Sequence, residues 1–171
     1  AQNLETLLTA VQKLEFENVK LLLIGSGPKE KELKQRANSM NLKSIEFVHE
    51  IPREKIDEYL FIADCGVIPL RKLSLFWGAL PSKLFDYMAC GLPILLGIEG
   101  EAKDVIEKSK AGICFEPEDS ADLAEKIIWM KNHPKERIEM GKRGRKFVEK
   151  YYNREKQAKE LEKELLKLVE A

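Results

Sequence analysis

Ser82, Lys83 and Asp86 put a hydroxyl, an ammonium and a carboxylate close together on one short segment. The run Gly78-Ala-Leu-Pro-Ser-Lys-Leu-Phe-Asp-Tyr-Met-Ala-Cys-Gly-Leu-Pro-Ile-Leu-Leu96 reads as a helix opened by Pro81-Ser82-Lys83 and closed at Gly91, with a buried strand behind it. Proline suits the first turn of a helix and glycine the position just past its end. At helical spacing Ser82, Lys83 and Asp86 share the exposed face, and Leu84, Phe85 and Met88 the apolar one. Lys83 stands at the positive end of the helix dipole, where a cation is unfavourable by about 0.3–1 kcal/mol. Residues that break a local rule in this way are expected at functional sites. An anion held between Lys83 and the free N–H groups of Ser82 to Leu84 turns that cost into a gain. Asp86, one turn further in, is placed to accept hydrogen bonds from a diol such as a ribose. The competing reading is a surface Lys83–Asp86 pair at i,i+3, worth about 0.2–0.5 kcal/mol.

Gly25-Ser-Gly-Pro28 follows an apolar run directly and leads into a helix, so Gly25 and Gly27 allow a tight turn and close backbone approach to a phosphate or sugar. The same tetrapeptide also suits an ordinary strand-to-helix turn. The dinucleotide fingerprint needs a third glycine where Glu30 stands, and the phosphate-loop lysine is absent. Arg71 and Lys72 precede the Pro81 helix and lie within reach of a pyrophosphate, which arginine binds in a bidentate manner; a solvated loop is the alternative. Phe76 and Trp77 suit either a sugar pocket or a partner surface. Gly100-Glu101 open a further helix on the same edge and form a weaker anion candidate. His49 has no partner that would give it a catalytic role. Glu99, Glu101 and Asp104 lie close together, but no Asp-x-Asp pattern occurs, and no metal is expected.

Alternating strands and helices position these residues. Helices are predicted over 4–14, 28–40, 52–63, 102–109, 121–131, 135–151 and 154–170. Strands are predicted over 19–24, 45–48, 65–70, 93–96 and 112–115. Val19 to Ile24 is a near-continuous apolar run, as in a strand buried on both faces. Ile56, Tyr59, Leu60 and Ile62 are expected to turn inward. Repeated βα units imply a three-layer, Rossmann-like parallel sheet with helices on both faces and a C-terminal helical extension. A βα chain is expected to begin with a strand, whereas this one opens inside a helix on Ala1. The expectation is therefore an excised domain, or one whose first strand is missing. Ala158, Leu161, Leu165 and Leu168 form a stripe on the last helix, suited to packing on this domain's own sheet or on a neighbouring domain.

The 171 residues fit one domain with a sizeable core. Lys and Arg number 29, as do Asp and Glu, so no charge imbalance favours nucleic acid or an anionic membrane. No apolar run approaches the roughly 20 residues of a membrane span, and Gln2 to Glu5 do not read as a signal peptide. Cys65, Cys90 and Cys114 are odd in number and far apart, which suggests reduced thiols in a cytoplasmic protein.

Five segments in order, Leu4–Leu8, Leu22–Pro28, Ala63–Leu70, Pro81–Pro93 and Ala111–Phe115, resemble the C-terminal, nucleotide-sugar-binding domain of the group 1 (family 4) glycosyltransferases. The resemblance spans nearly the whole chain. It is closest to the bacterial surface-polysaccharide branch, where Pro-Ser-Lys-Leu-x-Glu-Tyr-Met-Ala-x-Gly-x-Pro recurs. It implies the GT-B arrangement of two Rossmann-like domains facing across a cleft, with residues 1–171 as the donor-binding half and the N-terminal acceptor domain absent. It also implies a retaining sugar transfer from a nucleotide diphosphate sugar, with UDP-sugar favoured, to a glycan or lipid-linked acceptor. No bound metal or further cofactor is implied, and the isolated domain is expected to be inactive. Membrane contact is expected only through the companion domain, at the inner face.

Many members carry two glutamates separated by seven residues. The second, on the ribose, falls at Asp86, one methylene shorter; the first, near the sugar, falls at Gly78. The family's phosphate-binding Arg precedes this sequence, and Ala1-Gln2-Asn3 replaces its Lys-Gly region, leaving Lys83 and Arg71 to carry the phosphate charge. Gly25 and Gly27 flank the phosphates, Ser82, Lys83 and Leu84 offer amides, and His49-Glu50-Ile51 bracket the base, with Ile51 as its backbone contact. The remaining alternatives are a GT-B-fold nucleotide-sugar epimerase, expected to show several catalytic acids and a His, and a non-catalytic α/β binding module.

Overall fold

Five short parallel strands carry the chain's most apolar segments, and helices cover both faces of them. In the computed structural model, which describes residues 2–169, the order is α1 (Leu4–Lys13), β1 (Leu21–Ile24), α2 (Glu30–Ser39), β2 (Ile45–Val48), a 3-10 turn (Arg53–Lys55) running into α3 (Ile56–Ile62), then β3 (Gly66–Pro69). A second 3-10 turn (Ser74–Phe76) precedes α4 (Ser82–Ala89), β4 (Ile94–Gly97), α5 (Glu101–Ser109), β5 (Gly112–Cys114), α6 (Ser120–Asn132), α7 (Pro134–Tyr151) and α8 (Arg154–Val169). Ala1 and Glu170, parts of the first-segment and last-helix readings, lie outside the described residues.

Strand β4 alternates across the layers. Ile94 and Leu96 join Leu84 and Met88 of α4, Ala102 and Ile106 of α5 and Val148 of α7 in one core. Leu95 faces the other way, onto Leu7 and Ala10 of α1 and Leu123 of α6. This is the three-layer parallel arrangement that the βα alternation predicts, and its central strand is buried throughout.

The strands divide into two sheets, however. β1 pairs with β2, and β4 lies between β3 and β5. Between β1 and β3 runs a slot of about 1250 Å³, lined by all of β1, by Gly66, Val67 and Pro69 of β3, and by α1 and α3. The slot explains two corrections. β1, expected to be buried on both faces, is half-buried along its length. No residue of α3 is buried, and Ile62, expected inward, is 72% exposed. Ile56, Tyr59, Leu60 and Ile62 all face the slot rather than a closed core. The stripe on α8 also differs from one of its two readings: Leu161, Leu165 and Leu168 remain 54% or more exposed and do not pack on the sheet.

Candidate functional site

Pro81 starts α4 from an extended backbone (φ −59°, ψ 130°), and the chain enters the helix at Ser82. The other end is closed by Gly91 in the left-handed region (φ 69°). The Gly91 N–H donates to the Met88 carbonyl and the Leu92 N–H to the Tyr87 carbonyl, both at 2.9 Å. These paired bonds satisfy the last carbonyls of the helix. Leu84 and Met88, fully buried, fix the helix against the sheet. The first turn is thus held rigidly, with Ser82 and Asp86 exposed and Lys83 half-buried.

The amide supply is smaller than the sequence suggested. The Leu84 N–H donates to the Pro81 carbonyl at 2.9 Å. The amides of Ser82 and Lys83 have no acceptor among the described residues. Two N–H groups of the first turn, rather than three, are left without an acceptor among the described residues.

Gly25, Gly27, Arg71, Lys83 and Asp86 all line the same slot. Gly25 adopts φ 129°, which only glycine reaches readily. A Cβ at Gly27 would meet nothing within 4 Å, so its requirement is open space rather than backbone strain. Ser82 is exposed at the start of α4, Leu84 is buried, and half-buried Ile51 lies in the otherwise exposed loop after β2; none of the three lines the slot. That loop is tied to the glycine turn: the Ser26 hydroxyl donates to Glu50 Oε2 at 2.8 Å. Sequence reasoning missed this bond, because the partners lie 24 residues apart.

Charge along the slot is sorted by existing pairs. Lys29 is 3.1 Å from Glu5, which lines the same cavity. A hydrogen bond from its own backbone, opposed by burial and aided by Lys29, holds the Glu5 carboxyl below its usual range. Lys72 is turned away onto Glu116. Arg71 and Lys83 have no carboxylate partner among the described residues. Lys83 instead donates to Gln2 Oε1 at 2.7 Å.

The other candidates are absorbed structurally. The Glu101 N–H at the start of α5 donates to the Trp77 carbonyl at 2.8 Å, so the Gly100-Glu101 end is capped from within. Phe76 packs on the core, while Trp77 stays largely exposed. His49 is exposed, and His133 stacks on Trp129 with ring centroids 4.2 Å apart. Burial pushes the Cys65 and Cys114 thiols up to about 11, which suppresses their thiolates. Among the described residues no three His, Cys, Asp or Glu side chains converge as a metal-binding group, and no helix is long and apolar enough to cross a membrane.

Burial lowers the Lys83 ammonium below the ordinary lysine value of 10.5. The unfolded chain therefore keeps this proton to higher pH than the folded one. Its penalty on stability is fully present at neutral pH and is relieved as pH rises from the lowered value to 10.5. The expected result is a urea midpoint for the native protein that gains on that of Lys83→Met as pH climbs toward 10.5. A constant difference between the two would contradict the assignment.

Comparison with known proteins identifies the family and the fold. The model of the family "Glycosyl transferases group 1" matches residues 1–147. A GDP-mannose-dependent monoacylated alpha-(1-6)-phosphatidylinositol monomannoside mannosyltransferase of Corynebacterium glutamicum is 28% identical over 134 residues, covering 77% of this chain. The chain spans only 35% of that relative's length. Among solved structures, the C-terminal domain of a group 1 family glycosyl transferase (LpcC) from Francisella tularensis superposes with a TM-score of 0.73 at 22% identity, covering 90% of this chain and 80% of that one. Anabaena HepE in complex with UDP gives 0.79 at 16% identity, covering 97% of this chain and 45% of that one. With a family match over most of its length and the same fold in these structures, the chain belongs to the group 1 glycosyltransferases.

Proposed function

We propose that this chain is the donor-binding half of a retaining glycosyltransferase, taking a sugar from a nucleoside diphosphate sugar to a glycan or lipid-linked acceptor. The single observation that supports the reading is one cavity whose lining includes Lys83, Arg71, Asp86 and the Gly25–Gly27 turn, next to a first turn of α4 with two amides that have no acceptor among the described residues. In this reading the diphosphate rests on the start of α4. Negative charge grows on it as the glycosidic bond breaks, and the preorganised amides and cations stabilise that charge. Asp86 accepts from the ribose, and the loop at Glu50-Ile51 borders the base. The UDP named for HepE and the GDP-mannose named for the mannosyltransferase both fit this chemistry. The acceptor site and any membrane contact belong to a companion domain, and a cytoplasmic location suits thiols held protonated by burial.

Calorimetric titration with UDP, GDP, uridine and guanosine tests the reading. Millimolar or tighter binding of one diphosphate, with its nucleoside at least tenfold weaker, is expected. No binding of either diphosphate would leave a non-catalytic module as the better account.

Position 78 offers a second test. A Cβ on Gly78 would meet nothing within 4 Å, and its φ lies outside the positive range, so the backbone at position 78 accepts a side chain. A carboxylate there restores the sugar contact that the family resemblance implies. One charge-assisted hydrogen bond contributes about 1.5–3 kcal/mol before losses in side-chain freedom. Gly78→Glu is expected to tighten binding of the sugar-bearing donor about tenfold relative to the free diphosphate. Equal effects on both ligands would remove position 78 from the sugar site.

A further inference from the structure

We infer that Trp77 and Glu101 form a pyranose-binding surface, the indole face packing on the ring of the donor's sugar and the carboxylate accepting from its hydroxyls. The inference rests on the nucleotide reading and extends it to the sugar end of the ligand.

The loop after β3 turns two neighbouring aromatic side chains in opposite directions. Phe76 packs inward on the core that holds Leu84, Met88 and Ile98, whereas Trp77 stays 58% exposed. The exposure is not that of a loose loop. The Phe76 N–H donates to the Leu73 carbonyl at 2.9 Å, the Trp77 N–H to the Ser74 carbonyl at 3.1 Å and the Ala79 N–H to the Phe76 carbonyl at 3.0 Å. The Trp77 carbonyl in turn accepts from the Glu101 N–H at 2.8 Å, which ties the loop to the start of α5. Gly100 permits this close approach: it adopts φ 86°, and a Cβ there would fall 2.0 Å from the Trp77 carbonyl oxygen. Ala102 and Ile106 are buried and fix α5 on the sheet. The Trp77 backbone is therefore clamped while its side chain stands out. An aromatic side chain on a rigid backbone loses little freedom on binding.

A sugar needs two kinds of contact. The C–H bonds on one side of a pyranose carry partial positive charge and suit the electron-rich face of an indole, and its hydroxyls need acceptors. Both are supplied at one point. Glu101 is exposed and has no cation partner among the described residues. Its amide sits on the carbonyl of the Trp77–Gly78 peptide. A Cβ at Gly78 would meet nothing within 4 Å, so the same point has room for a ligand.

The course of the ligand selects the sugar rather than the base. Asp86 and the Gly25–Gly27 turn line the slot between β1 and β3, and the ribose and base run that way in the nucleotide reading. Trp77 and Glu101 do not line the slot. Glu101 opens α5 just past the end of β4, on the other side of β3. From a diphosphate on the start of α4, the sugar is the group that leaves in this direction.

Calorimetry with UDP, UDP-glucose, GDP and GDP-mannose, on the native chain and on Trp77→Ala, Trp77→Phe and Glu101→Gln, tests the inference. In Trp77→Ala and in Glu101→Gln the sugar-bearing donor should bind about five- to tenfold more weakly, with its free diphosphate within about twofold of the native value. Trp77→Phe should keep most of the donor affinity, since an aromatic face remains. The indole N–H resonance of Trp77 should shift with the donor and not with the diphosphate, and that of Trp129, stacked on His133, with neither. A donor that loses no more than its diphosphate in either Trp77→Ala or Glu101→Gln overturns the inference, as does an unmoved Trp77 indole. The free diphosphates keep the two readings apart. Diphosphate bound at Ser82 and Lys83 without a sugar effect sinks this inference alone, and absence of diphosphate binding sinks both.

Discussion

Lys83→Ala is expected to weaken binding of the preferred nucleoside diphosphate about 10- to 100-fold while changing nucleoside binding by less than about twofold. The figure follows from one charge-assisted hydrogen bond to phosphate, about 1.5–3 kcal/mol, at about 1.4 kcal/mol per decade of affinity. Glu5, a carboxylate lining the same cavity, is already paired with Lys29, and Lys83 donates to the neutral Gln2 amide. Its ammonium is therefore available to an anion at the cost of one exchangeable hydrogen bond. Burial, which lowers the Lys83 pKa, also raises the attraction, because the bound diphosphate meets the charge with part of the water removed. Asp86→Ala should behave differently, weakening diphosphate and nucleoside alike and narrowing the preference for ribose over deoxyribose. Calorimetry on the two variants separates the roles. Parallel losses for diphosphate and nucleoside in Lys83→Ala would refute the charge argument.

Gly141→Ala is expected to destabilise the fold by about 1–3 kcal/mol, although alanine is the better helix former by about 1 kcal/mol. Gly141 lies in α7, where it passes the end of α4. A Cβ there would fall 1.9 Å from the Gly91 carbonyl oxygen and 2.9 Å from its carbon. Both are backbone atoms at the left-handed turn that closes α4, so neither can swing aside. Gly144, one turn along the same helix, is a control with the same propensity gain. Its added Cβ would meet the Ala111 methyl at 3.0 Å and Met88 at 3.4 Å, contacts that small shifts relieve. Urea denaturation should therefore place Gly141→Ala well below the native protein and Gly144→Ala near it. A stabilised Gly141→Ala would show that α7 is free to move away from α4.

The helix at the centre of the site was legible because its signals are local. Pro81 at the start, Gly91 just past the end and apolar residues at helical spacing require no knowledge of the rest of the chain, and α4 and β4 form within a residue of the positions they imply. The misplaced cation Lys83 was visible for the same reason. What escaped depends on partners distant in sequence. The Trp77 carbonyl caps α5, and Ser26 reaches Glu50. Ile56, Tyr59 and Leu60 share the half-buried face of α3 that their spacing implies, while Ile62 is exposed, and periodicity says which face is apolar, not what covers it. The same holds for the α8 stripe, which reads as a packing surface and stays exposed. The apolar run of β1 named an interior strand, and the slot beside it is where local pattern and observed burial part company.

The central claim is that the start of α4, with Lys83 and the two amides that have no acceptor among the described residues, holds the diphosphate of a nucleoside diphosphate sugar. Backbone chemical-shift mapping during titration with UDP, and with GDP if UDP is silent, tests it most directly. The account predicts the largest shifts at the amides of Ser82 and Lys83, smaller ones at Gly25, Gly27 and Ile51, and loss of the Ser82 and Lys83 shifts with the nucleoside alone. Shifts centred on another surface, or the same pattern with nucleoside as with diphosphate, would contradict it.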